Sequence, residues 1–270
     1  MVPAAGVVVS DWNPESYALF GDLRLRPALD LLAQVGDVPD GPVVDLGCGA
    51  GSVADALSQR FAGRLTGVDA SPAMLAEAEA TGRYQSLIAE DVGLWRPEVP
   101  PALIFSNAVL HWLADHAMLM PRLATYLAPG GTLAVQMPRQ FRAPSHRFLR
   151  DIAAAMFPDR FDFSGWQAPV WQAPVETAET YAGWLTPLGR VSAWQTDYVQ
   201  RLWLQEGSTA HPVRRFTEST VMRPFLQKLN EAEAAAFVLA YEEALAVAYP
   251  ALADGSVLMP FRRVFFVVTV

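Results

Sequence analysis

The sequence predicts an α/β fold, an open parallel sheet begun in the first half of the chain and completed at its very end. Three observations lead there. Short β-rich runs alternate with helical stretches through residues 42–136, and strands separated by helices need right-handed crossovers. Ala102-Leu103-Ile104-Phe105 is a continuous apolar run, as expected of a strand covered on both faces. The chain closes with Val264-Phe265-Phe266-Val267-Val268-Thr269-Val270, a β-branched and aromatic run with strong strand character. The material between the two halves of the sheet is then an insertion of mainly helical type.

The first strand is expected over 42–46, ending at Gly47. A helix follows over 52–61, with Ser52 near its N-cap. The second strand spans 65–69. Ser71-Pro72 opens the next helix with a capping hydroxyl and a proline at the first helical position, and Met74, Leu75 and Ala78 continue it. Strands over 86–89 and 103–106 come next, then a helix over 118–127. Pro129-Gly130-Gly131 stops that helix and leads into a strand over 132–136. Residues 139–200 hold five prolines and four tryptophans and read as irregular and helical. A strand is possible over 191–202, and an Ala-rich helix over 231–249 is closed by Pro250. The expected organisation is a tail over 1–22, a ligand-binding core over 23–138, a helical cap over 139–258 that includes one or more core strands, and a final strand over 259–270. The Trp-rich stretch 166–203 reads as cap core.

Composition narrows the function. The chain has 270 residues, 52% hydrophobic and 18% charged, enough to build a core without disulfides or metal. Its net charge of −8 disfavours non-specific binding to nucleic acid or to an anionic membrane. Cys48 is the single cysteine and the four histidines are dispersed, so neither a disulfide framework nor a metal cluster is expected. A lone thiol fits a reducing, cytoplasmic setting. Residues 1–10 are apolar without Lys or Arg, unlike a signal peptide, and no apolar run approaches membrane-spanning length.

The most informative stretch is Val44-Asp45-Leu46-Gly47-Cys48-Gly49-Ala50-Gly51. Glycines at alternating positions let the backbone turn tightly and approach a ligand, and the helix beyond offers unpaired N–H groups. A dinucleotide site favours G-x-G-x-x-G. Here the third glycine comes one residue early, and Asp45 would sit awkwardly beside a pyrophosphate. That carboxylate suits a cationic group instead, such as the α-ammonium of S-adenosylmethionine. Asp69 ends the second strand and can accept ribose hydroxyls. Asp91, at the end of the third, can accept an adenine amino group. Ser106-Asn107-Ala108 ends the fourth and forms a floor. All fall at the carboxyl ends of expected strands, where open α/β sheets bind ligands.

On these residues the sequence resembles the class I S-adenosylmethionine-dependent methyltransferases. More narrowly it is similar to the trans-aconitate 2-methyltransferase family. The narrower likeness rests on Ser10-Asp11-Trp12-Asn13-Pro14 with Tyr17 and Phe20, on Arg24-Leu25-Arg26-Pro27-Ala28, and on Asp69-Ala70-Ser71-Pro72-Ala73-Met74. It continues through Trp112-Leu113, Asp115-His116, Val135-Gln136-Met137-Pro138, Arg223-Pro224 and the 261–267 strand. The resemblance implies a Rossmann-like sheet of seven strands, mostly parallel with the last antiparallel, plus a helical cap, and methyl esterification of a carboxylate on a small polycarboxylic acid. Carried over by position, it assigns Asp45, Gly47, Gly49 and Gly51 to the methionine end of the cofactor. Asp69 goes to the ribose, Asp91 to the adenine and Asn107 to the floor, with Ala70 and Val92 also among the cofactor-binding residues. The sequence departs from the family pattern at Ala50, Ser52, His111 and Arg262.

A carboxylate acceptor is ionised at neutral pH, so the reaction needs positioning and exclusion of water more than a base. A polyanionic acid needs cationic partners, for which Arg is suited. The candidates are Arg24, Arg26, Arg223 and Arg262, with Arg26 and Arg223 inside family-like motifs. Tyr17 is a candidate hydrogen-bond donor and Trp12 a candidate wall. His111, just after the fourth strand, is the candidate catalytic residue, hydrogen-bonding the acceptor or acting as base if the acceptor is a hydroxyl. The expected partner is a small carboxylic acid, with no metal, nucleic acid or membrane. The alternatives are methyl transfer to a hydroxyl or carbon of another small molecule, a nicotinamide oxidoreductase, and a non-catalytic cofactor-binding protein.

Overall fold

The structure is a computed structural model that describes residues 21–61, 64–161, 175–204, 207–218 and 220–270. The described residues form two compact units. One holds 22–139, 175–196 and 262–270, and the other holds 140–161 and 197–261.

The first unit carries α1 (Gly21–Ala33), β1 (Val43–Leu46), α2 (Ala54–Arg60), β2 (Leu65–Asp69), α3 (Pro72–Ala80), β3 (Ser86–Ala89) and β4 (Leu103–Asn107). A 3-10 turn (Leu110–Trp112), α4 (His116–Thr125) and β5 (Thr132–Pro138) follow. The sheet has seven strands in the order β3-β2-β1-β4-β5-β7-β6, where β6 is Arg190–Leu202 and β7 is Val257–Thr269. β1 pairs in parallel with β2 and β4, β2 with β3, and β4 with β5. β7 runs antiparallel to β5. This is the seven-stranded, mostly parallel α/β architecture that the sequence predicts.

Alternation along the strands sorts the two faces of the sheet. Val44, Leu46, Ile104, Leu133, Val135, Val264, Phe266 and Val268 belong to one buried apolar cluster. α4 contributes Leu119, Met120 and Leu123 to that cluster, and α6 (Ala178–Leu185) contributes Tyr181 and Leu185. The Tyr181 ring stacks on Phe266 at 5.0 Å, and its hydroxyl meets His116 Nδ1 at 2.6 Å. Burying such side chains contributes about 1.5–3 kcal/mol each against exposure. On the opposite face lie Asp45, Phe105, Asn107, Gln136 and Phe265, aligned by the registers Asp45↔Phe105, Asn107↔Gln136 and Gln136↔Phe265.

In the second unit, α5 (Pro144–Met156), α7 (Pro212–Glu218), α8 (Arg223–Leu226) and α9 (Glu231–Ala248) bury Leu149, Val213, Phe216, Phe225, Phe237 and Leu245. α9 starts with a reciprocal capping box between Asn230 and Glu233. Tyr241 Oη, from α9, donates to the Ser145 carbonyl at 2.6 Å, a buried bond tying α9 to α5.

Several sequence expectations shift. The helix expected over 52–61 begins at Ala54, and Ser52 does not cap it, because the glycine turn extends to Val53. The helix expected over 118–127 starts at His116, because Asp115 takes a left-handed φ of 55° and breaks the chain there. β3 stops at Ala89, so Asp91 lies in the following turn and not in the strand. The final strand is longer than expected, starting at Val257. The tryptophans do not share one core. Trp194 stacks on Phe265 at 4.9 Å and Trp184 meets Tyr181 edge-on, both in the sheet unit. Trp203 is exposed, and Trp166 and Trp171 lie outside the described residues. Among the described residues no helix is long and apolar enough to cross a membrane.

Candidate functional site

The strand order reverses its direction of growth at β1. β2 and β3 extend to one side of it, and β4, β5 and β7 to the other. Such a switch point leaves a crevice at the carboxyl ends of the two central strands. Two loops meet there. The loop after β1 turns through Gly47, Gly49 and Gly51, all at positive φ (81°, 53° and 78°). The loop after β4 passes through Ala108, a non-glycine residue held at φ 57°, whose N–H donates to the Gln136 carbonyl at 2.9 Å. An alanine in the left-handed region costs roughly 1–2 kcal/mol, and such strain clusters where ligands bind. A methyl built on Gly47 would lie 2.3 Å from Val109 Cγ2, so the two loops pack in direct contact. Gly49 differs, with nothing among the described residues within 4 Å of the place its Cβ would occupy.

Asp45 is buried, 1% exposed, beneath the glycine loop. Its Oδ2 accepts a hydrogen bond from Tyr84 Oη at 2.7 Å. Burial pushes its carboxyl up to about 7; the Tyr84 bond opposes that rise and the nearby Asp69 charge adds to it. The Tyr84 phenol is raised in turn, by burial first and then by Asp45. Nothing in the sequence around Tyr84 marks it as the partner of a residue 39 positions away.

Asp69 does more than await a ligand. Its Oδ2 accepts from the Gly49 N–H at 2.9 Å, and its Oδ1 from the Ser71 N–H at 2.9 Å. It therefore anchors the glycine loop to the start of α3, where Ser71 Oγ accepts from the Met74 N–H. Each carboxylate oxygen keeps a second lone pair for a hydroxyl donor. Asp91 is exposed and folds back to accept from the Gly93 N–H at 2.7 Å, while Val92 beside it is buried. Asn107 ends β4 with its Oδ1 buried and without a hydrogen-bond partner among the described residues. Ser106 turns to the other face, and its Oγ donates to the Leu46 carbonyl at 2.8 Å. Cys48 is packed against Leu75 and Ala78, and burial pushes its thiol up, as befits an inert core residue.

His111 sits in the 3-10 turn just after β4, buried, with its ring 4.7 Å from that of Trp112. The structure thus gathers Asp45, the three glycines, Asp69, Asn107 and His111 at one edge of the sheet, with Ala70, Asp91 and Val92 beyond β2 and β3. Arg26 is exposed on α1, within 3.9 Å of Asp30. Arg262 is exposed on β7. Arg223 is the half-buried first residue of α8, in the other unit. Trp12, Tyr17 and the side chain of Arg24 lie outside the described residues. In place of Arg262, its neighbour Arg263 is buried on the strand, donating to Gln136 Oε1 at 2.8 Å. Residues 262 and 263 adjoin on one strand, so alternation sends their side chains to opposite faces.

The switch-point crevice and its glycine turn fit an S-adenosylmethionine-dependent methyltransferase, and residues 17–187 match the family model for a methyltransferase domain. The BH2331 protein of Bacillus halodurans C-125 shares the fold, with a TM-score of 0.55 at 12% identity over 90% of this chain and 98% of its own. The YcgJ protein of Bacillus subtilis does so with a TM-score of 0.50 at 14% identity over 95% and 98%. The chain belongs to the trans-aconitate 2-methyltransferase family. It is 43% identical to the trans-aconitate 2-methyltransferase of Methylobacterium nodulans over 96% of this chain and 98% of that one. It is 37% identical to that of Escherichia coli O1:K1, with the same coverage.

Proposed function

We propose that this chain esterifies one carboxylate of a small polycarboxylic acid, trans-aconitate, with the methyl group of S-adenosylmethionine. The acid is the one for which the relatives are named. The observation that carries the cofactor reading is the buried Asp45–Tyr84 pair beneath the open space at Gly49. A buried carboxyl held near neutral pH is costly to ionise and gains most from a cation placed beside it. Asp45 would receive the α-ammonium, with the glycine loop along the methionine end. Asp69, already fixed by two backbone N–H groups, would take the ribose hydroxyls on its free lone pairs. Ala70 would lie against the ribose, Asp91 and Val92 would meet the adenine, and the Asn107 Oδ1 would face the cofactor from below.

When bound, the sulfonium supplies an electrophilic methyl group and a neutral thioether leaving group. The acceptor carboxylate is ionised at neutral pH, its ordinary pKa being near 4. The protein is then required to hold one carboxylate oxygen in line and to exclude water. His111, buried at the exit of β4, would orient the acceptor in this reading and need not remove a proton.

Purified protein incubated with S-adenosylmethionine and trans-aconitate should yield S-adenosylhomocysteine and an acid heavier by one methylene, read by mass spectrometry, in preference to citrate, cis-aconitate and isocitrate. Cofactor binding without any methylated acid would discard the substrate. The state of Asp45 gives a second expectation. Its carboxyl titrates near 7 in the free protein, and the ammonium binds the ionised form. The affinity for S-adenosylmethionine should therefore weaken as pH falls below about 7, approaching tenfold per unit. Titration calorimetry near neutral pH, in buffers of different ionisation enthalpy, should show proton release. An affinity unchanged between pH 5.5 and 7 would remove Asp45 from the site.

A further inference from the structure

We infer that Tyr84 is a positioning residue of the cofactor site, whose hydroxyl holds one oxygen of Asp45 and reserves the other for the α-ammonium of S-adenosylmethionine. This rests on the proposed reading of Asp45 and adds the residue through which that acid works. Tyr84 Oη meets Asp45 Oδ2 at 2.7 Å, and the carboxyl is buried. An ionised carboxylate accepts without donating, so the phenol is the donor. With Oδ2 held in this way, Oδ1 is the oxygen offered to a cation.

Packing keeps the phenol at that task. Gly67 of β2 is in register with Asp45 of β1 and with Leu87 of β3. A methyl built on Gly67 would stand 2.9 Å from Tyr84 Cε1, and one built on Gly51 would stand 3.2 Å from Cε2. The two ring carbons that flank the hydroxyl-bearing carbon are thus each seated on a glycine, one in the sheet and one in the loop after β1. Gly67 lies within β2 and does not have a positive φ, so its backbone conformation does not call for glycine. Close approach of another group does. The side chain missing beside Asp45 is the space through which the phenol, from the segment between α3 and β3, reaches the acid. A hydroxyl seated between two strips of backbone has one direction in which to donate.

The charges around Asp45 give that bond its effect. Among the described residues, the titratable groups facing it are Tyr84, Asp69 at the end of β2 and Cys48 in the loop. Burial first, and then Asp45, pushes the phenol and the thiol up, so neither loses its proton near neutrality. Asp69 opposes ionisation of Asp45, as burial does. Of these groups Tyr84 is the one that favours the anion, because a hydrogen bond to the charged form stabilises it.

The test is Tyr84→Phe, which keeps the ring and removes only the donor. The probe is S-adenosylhomocysteine, which carries the same α-ammonium without the base-labile sulfonium. It is titrated against variant and wild type from about pH 5.5 to 9, and the ratio of the two affinities cancels the titration of the ligand itself. Without its donor the acid should ionise roughly one pH unit higher. The variant should then bind about tenfold more weakly below pH 6 and about fivefold more weakly at pH 7, and come within about twofold of the wild type by pH 9. A loss that alkali restores separates a held carboxylate from a packing defect, which weakens binding at every pH. Thermal melts of the free variant give a second readout, its stability falling for about one pH unit beyond the point where the wild type levels. Gly67→Ala pushes the same ring from its Cε1 edge and should give a binding curve of the same shape, so it carries the comparison if Tyr84→Phe does not fold. A ratio that is the same at every pH, in a wild type whose affinity falls in acid, overturns the assignment of Tyr84 alone. A wild type whose affinity is unchanged between about pH 5.5 and 7 removes Asp45 from the site, and this assignment with it.

Discussion

Asp45→Asn should abolish useful binding of S-adenosylmethionine, by a factor of a hundred or more, and at the same time raise the melting temperature above neutral pH. Both effects have one cause. The Asp45 carboxyl is raised to about 7 in the folded protein, mainly by burial, whereas an aspartate in the unfolded chain ionises near 4. Between those values the folded state holds a proton that the unfolded state has lost. Stability therefore falls as pH rises from about 4 to about 7, and the full penalty stands above that window. Asparagine keeps an acceptor for the Tyr84 hydroxyl but cannot ionise, so it removes the penalty. A shift of about three units sets a ceiling of roughly 4 kcal/mol, reduced by burying the new amide hydrogens. The difference in Tm between variant and wild type should be smallest below about pH 4 and grow by several degrees up to pH 8. Thermal melts across pH, with calorimetry of cofactor binding, check both halves. A variant that is less stable at every pH and binds the cofactor normally would show that Asp45 is only a structural group.

Alanine at Gly47 and alanine at Gly49 should fail in different ways. Both glycines have positive φ, so each substitution costs roughly 1–2 kcal/mol in backbone strain. At Gly47 the added methyl also meets three carbons of Val109 at 2.3–2.7 Å. Such overpacking adds about 1–3 kcal/mol, and the melting temperature should fall by about ten degrees. Val109→Ala in the same chain should restore part of the loss. At Gly49 nothing among the described residues lies within 4 Å of the new methyl. The fold should tolerate it with a drop of a few degrees, while the methyl fills the space proposed for the cofactor and weakens binding at least tenfold. Melting curves and S-adenosylmethionine titrations of the two variants separate these outcomes. Normal cofactor affinity in Gly49→Ala would place the ligand elsewhere.

The contrast between these two glycines shows where sequence reading stops. Gly47, Gly49 and Gly51 are equivalent on the page as a turn motif. Only the packing of the β4 loop against the β1 loop makes Gly47 a contact and leaves Gly49 open. The arginines tell the same story. Arg26 lies in a family-like motif, yet its position on α1 exposes it and brings it to Asp30. Arg262 and Arg263 adjoin in sequence, yet one residue of register on a strand exchanges the solvent for the interior.

What the sequence by itself determined was set by local rules: the alternation of strands and helices, the glycine turn after an acidic strand residue, the Ser71-Pro72 helix start, and acids placed at strand ends. Each depends on the spacing and type of a few adjacent residues. The tertiary structure decided what depends on residues far apart in the chain. It brought Tyr84 to Asp45 and set that acid near neutrality. It laid Asp69 across the glycine loop, and it buried Arg263 against Gln136. Burial and hydrogen-bond partnership across tens of residues set charge states, and no local pattern encodes them.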